Sequence, residues 1–119
     1  VTFDETLARH LDAIRRHDLE ALADTVAPDG LVLVTARGEL VRSTGEFLDR
    51  HRDWFASPGW ELDAHPVEMF RSADLSVAVL ELDYRDRPAL RQRSYLTLVF
   101  ARRDGRWLMV QDQNTPISD

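Results

Sequence analysis

The chain has 119 residues, 44% hydrophobic and 30% charged, which suits a single globular domain over residues 1–119 and leaves no place for a collagen-like or low-complexity segment. The absence of cysteine excludes a disulfide framework, a cysteine zinc site and a thiolate nucleophile, and fifteen arginines without one lysine exclude Schiff-base and P-loop lysine chemistry. A formal net charge of -6 argues against a nucleic-acid partner, while short apolar runs such as Leu31 to Val34 and a charged beginning argue against a membrane partner and for a cytoplasmic location.

Thr2 and Glu5 have capping-box spacing, and Leu7, His10, Leu11 and Ile14 follow at the i, i+3, i+4, i+7 positions of one buried helical stripe. A break at His17-Asp18 opens a second helix, expected to run through Ala21, Leu22 and Val26 until Pro28 stops it. Residues 31–36 read as a strand, Arg37-Gly38-Glu39 as its turn and residues 40–42 as a short return. Ser43 with Glu46 forms a second capping box, and the helix it opens puts Phe47, Leu48, His51, Trp54 and Phe55 on one face. From Trp60 onward the period becomes two, giving strands near 61–71, 76–85 and 92–103 and a fourth from Arg106. Helices first and antiparallel strands after predict an α+β fold, a curved antiparallel sheet wrapped around three N-terminal helices.

Asp104-Gly105 between two strand-like runs marks a two-residue hairpin turn. Uninterrupted counting outward pairs Val99 with Val110, Thr97 with Asp112 and Tyr95 with Asn114 on one face. That face ends in a polar cluster, as a binding pocket would. The other face carries Leu96, Leu98, Phe100, Trp107 and Met109 and is expected to be the interface of a homodimer.

The segments ARHLDAIRRHDLEALADTVAPDG and DGRWLMVQDQNTPI, in this order of elements, resemble the nuclear transport factor 2-like superfamily, which includes ketosteroid isomerases and SnoaL-like polyketide cyclases. The resemblance implies a cone-shaped domain with an internal cavity. It places the isomerase tyrosine at His10, the general-base aspartate at Thr35 and the protonated aspartate at Thr97, so all three isomerase identities are replaced here. It also implies that Val110, Asp112 and Asn114 of the last strand line the cavity.

Two roles stay open for His10, a buried structural histidine or an acid–base group. Asp112 is the candidate carboxylate, with the sign of its pKa shift undetermined, since burial raises it and a cationic neighbour lowers it. Tyr84, Tyr95, Thr97, Asn114, Trp54 and Val110 are the expected substrate-binding set, and Arg93 could orient an oxygen. His51 lacks a second convergent histidine, and no dinucleotide or metalloprotease fingerprint occurs, so neither metal nor cofactor is expected. The reading that follows is a small-molecule-binding cavity protein carrying cofactor-free isomerase, cyclase or dehydratase chemistry through His10 and Asp112. The competing one is a non-catalytic ligand-binding or dimerisation module.

Overall fold

A computed structural model describes residues 1–88 and 90–118. Three helices, α1 (Phe3–Arg15), α2 (Leu19–Ala23) and α3 (Thr44–Ala56), accompany six strands. These are β1 (Val32–Val34), β2 (Leu40–Val41), β3 (Trp60–Phe70), β4 (Leu75–Asp86), β5 (Leu90–Arg103) and β6 (Arg106–Pro116). They form one sheet in the order β2-β1-β6-β5-β4-β3, antiparallel except where β1 runs parallel to β6. The result is the expected α+β cone, with the helices lying in the concave side of the sheet.

Local chemistry explains the helix limits. Thr2 Oγ1 accepts from the Glu5 amide at 3.1 Å while Glu5 Oε1 accepts from the Thr2 amide at 3.0 Å, closing both halves of the first capping box. Helix α1 ends with His17 at a φ of 56°, the His17 and Asp18 amides bonding back to the Ile14 and Ala13 carbonyls. Ser43 caps α3 through the Glu46 amide at 3.2 Å.

Helix α2 is shorter than the expected run through Val26. Residues beyond Ala23 leave the helix because the Met109 amide donates to the Thr25 carbonyl at 2.8 Å and the Ala27 amide donates to the Met109 carbonyl at 3.0 Å. Strand pairing with β6 thus captures the segment that helical spacing would continue.

The hairpin turn forms as read, Asp104 and Gly105 both having positive φ (51° and 75°), and Arg103 pairs with Arg106. The register beyond it does not continue. Phe100 pairs with Met109 but Val99 pairs with Gln111, leaving Val110 as a bulge. The expected pairs Val99–Val110, Thr97–Asp112 and Tyr95–Asn114 are therefore replaced by Leu98–Asp112, Leu96–Asn114, Thr97–Gln113 and Tyr95–Thr115. One extra residue exchanges the faces, so Asp112 and Asn114 share the concave side with Leu96, Leu98 and Phe100.

The same observation corrects the expected dimer surface. Leu96, Leu98, Phe100 and Met109 are buried in this chain's own core, and Trp107 packs on Phe3 with ring centroids 5.7 Å apart. The physical reason is that three amphipathic helices need the most apolar sheet face to cover their own stripes.

Candidate functional site

Asp112 sits in the middle of the sheet, paired with Leu98 on one side and Leu33 on the other. Both neighbours are buried, and Asp112 as a residue is only 6% exposed. No described residue forms a hydrogen bond or ion pair with its side chain. Desolvation alone pushes its pKa up to about 7, which resolves the sign that the sequence leaves open.

Asp112 opens onto a cavity of about 170 Å³ whose apolar wall includes Leu11, Leu33, Leu62 and Leu96 and whose polar wall holds Thr35, His51 and Asn114. A second compartment of about 230 Å³ adjoins it through the shared residues Ala36, Trp54, Leu62, Leu82 and Asn114, and adds Tyr84, Gln92 and Ser94. Trp54 is held at this junction by stacking on Trp60, with centroids 4.1 Å apart and planes 7° from parallel, and by the Trp60 indole N–H donating to its carbonyl at 2.9 Å. His17 extends the stack on the other face of Trp60, 3.8 Å away. A rigid aromatic wall results, built where α1, α3 and β3 meet.

His10 is fully buried, and its Nδ1 lies 2.8 Å from Thr25 Oγ1. The Thr25 hydroxyl donates to the Leu22 carbonyl at 2.7 Å, so its oxygen accepts from His10 and the ring carries its proton on Nδ1. Nε2 is left as a buried acceptor without a partner, its ring set edge-on to Phe100. Burial, with a smaller contribution from His51, lowers the His10 pKa to about 3. Neither hydrogen bond nor ion pair joins His10 to Asp112, and His10 does not line either compartment.

The structure brings Trp54, Tyr84, Asn114 and Asp112 of the expected set together. It separates His10 and four others from them. Tyr95, 45% exposed, and Thr97 project from the convex side because they alternate with the buried Ser94, Leu96 and Leu98. Val110 is the bulged residue and lines neither compartment. Arg93 pairs with Glu81 on the convex side. Sequence reasoning weighed His51 only as a metal ligand and passed over Ser94, although His51 shares a helical face with Phe47 and Trp54, and Ser94 keeps the alternation of Leu96 and Leu98. Among the described residues no group of three or more His, Asp or Glu side chains is placed to hold a metal ion.

A sequence profile of the SnoaL-like domain matches residues 4–116. No curated protein matches the sequence. Among solved structures, a candidate calcium/calmodulin-dependent protein kinase type II association domain from Thiobacillus denitrificans superposes with a TM-score of 0.86 at 19% identity, over 98% of this chain and 96% of that one. A candidate dehydratase of the nuclear transport factor 2-like family from Streptomyces avermitilis gives 0.82 at 16% identity, over 98% and 94%. A ketosteroid isomerase-like protein from Erwinia carotovora atroseptica gives 0.81 at 16% identity, over 98% and 94%. These likenesses, all at low identity, establish the fold, and the profile match over nearly the whole chain establishes the narrower grouping. The chain belongs to the SnoaL-like domain family, and its fold is that of nuclear transport factor 2-like proteins.

Proposed function

We propose that this protein binds a small, largely apolar, oxygen-bearing molecule in the Asp112 cavity and transfers protons to and from it without a cofactor, in an isomerisation, cyclisation or dehydration. The observation that carries the reading is the partnerless carboxyl of Asp112 in an apolar cavity. A carboxyl with a pKa of about 7 is divided between acid and base near neutrality, the condition under which proton transfer in both directions is efficient. Aromatic ketones and polyketide-like compounds are the first substrates to screen. With a substrate in hand, Asp112→Asn should lower kcat by at least about a hundredfold and leave KM nearly unchanged. Full turnover by that variant would assign the chemistry to another group, and binding of these compounds without any turnover by the parent protein would leave a ligand-binding module.

The convex side supports a homodimer in place of the concave face. In-register rows Phe70–Val77–Val99 and Val79–Thr97 cross it, and Phe70 and Leu75 are 58% and 52% exposed. The far end of this side is charged but internally paired, Arg85 with Asp63 and Asp83, and Arg91 with Asp83. An apolar half left uncovered next to a satisfied charged half fits a second copy of the same surface. Light scattering should report about twice 13.7 kDa, and Val99→Glu should return the folded monomer; a monomeric parent protein at micromolar concentration would refute the assembly.

A further inference from the structure

His51 Nδ1 lies 2.8 Å from the Phe47 carbonyl, which can only accept, so Nδ1 carries the ring proton and Nε2 is an acceptor. Burial holds the ring below the usual histidine pKa and hence neutral. The ring lines the same compartment as Asp112 and Asn114, and the Asn114 Oδ1 is a buried acceptor with no partner. Among the described residues no arginine lines either compartment. The cavity therefore offers unfilled acceptors on His51 and Asn114, a carboxyl that donates or accepts with its protonation state, neutral donors on Asn114, Gln92 and Ser94, and no fixed positive charge from the described lining residues. Such a wall welcomes O–H and N–H donors at its lone pairs, whereas an anion entering it would lose its water with only neutral donors, and a carboxyl, to meet it.

Size narrows the occupant further. A cavity of about 150 Å³ accommodates a benzene ring. The Asp112 compartment, about 170 Å³, matches one ring, and the adjoining 230 Å³ matches another. Leu62, Leu82 and Trp54 flank both, which suits a flat apolar body spanning the junction.

Resting on the reading of this cavity as a ligand site, we infer that its ligands are neutral one- or two-ring compounds bearing a phenolic or enolic hydroxyl. His51 is the positioning residue that takes the hydroxyl hydrogen at Nε2, and anionic analogues are turned away.

Three probes with one skeleton test this near neutral pH by calorimetry: 4-phenylphenol, biphenyl and biphenyl-4-carboxylate. The phenol should bind at least about tenfold more tightly than biphenyl, the worth of one hydrogen bond in a dry site, and the carboxylate more weakly than either. His51→Leu should bring the ratio of phenol to biphenyl affinity down to about one. In the unaltered protein labelled with 15N, the His51 Nε2 resonance should move on adding the phenol and stay in place with biphenyl, a readout independent of whether the variant folds. Equal affinity for phenol and biphenyl, tight binding of the carboxylate, or an Nε2 resonance indifferent to the phenol overturns the inference and leaves the cavity reading standing. Failure of all three probes to bind removes the cavity reading and the inference with it.

Discussion

Asp112→Asn is expected to tilt the dependence of stability on pH. In the folded chain the carboxyl holds its proton up to about pH 7, against an ordinary value of 3.8 in the unfolded chain. Between those two values the native state keeps a proton that the unfolded state has released. Rising pH therefore favours unfolding by about 1.4 kcal/mol per pH unit through this group, roughly 4 kcal/mol across the window as an order of magnitude. Asparagine has no such proton. Urea unfolding at a series of pH values should show the variant gaining on the parent protein steadily from about pH 4 to about pH 7 and running parallel to it outside that range. Curves parallel throughout would mean that the carboxyl is solvated, and the candidate site would lose its central group.

His10→Leu should give the opposite sign. The folded-state pKa of His10 is about 3 against an ordinary 6.5, so on acidification between these values the unfolded chain takes up a proton that the native chain refuses. The parent protein then loses about 1.4 kcal/mol per pH unit through this residue, and the leucine variant does not. His51, depressed in the same direction, is common to both proteins and cancels in the difference. At neutral pH the substitution should change stability by no more than about 2 kcal/mol, because Thr25 keeps its bond to the Leu22 carbonyl and the unpartnered Nε2 disappears. Chemical unfolding near pH 4.5 and near pH 7.5 separates the two regimes. A stability difference between the two proteins that is the same at both pH values would show that His10 does not govern acid unfolding.

The helices and strands were legible because their signals are local: Thr2 with Glu5, Ser43 with Glu46, Asp104-Gly105 and the change of period at Trp60 each act within a few residues. Asp112 and Asn114 do lie on the cavity face, although the count that selects them pairs them with the wrong residues. Alternation assigns residues to faces only while the strand stays regular, and the bulge at Val110 sits beside Met109, on which a distant segment, Thr25 to Ala27, docks. For the same reason Tyr95 and Thr97 were placed in the pocket and Leu96 and Leu98 on the surface. His10 illustrates a different limit. Its helical stripe correctly foretold burial, but which polar atom meets Nδ1 is decided by Thr25, beyond the end of another helix.

The bulge gives β6 one residue more than β5 can match, and this makes the strand unequally tolerant of changes in length. In-frame loss of the Val110 codon would let Met109 and Gln111 follow one another in a regular ladder, still opposite Phe100 and Val99, with Asp112 still opposite Leu98. The strand would straighten and the cavity would keep its carboxyl. Gain of one codon has no such outlet: it must widen the bulge or turn Asp112 and Asn114 to the convex side and Gln111 and Gln113 inward. Deletions between Met109 and Asp112 are thus expected to survive selection for the cavity far more often than insertions there, an asymmetry that a library of single-codon length variants would expose directly.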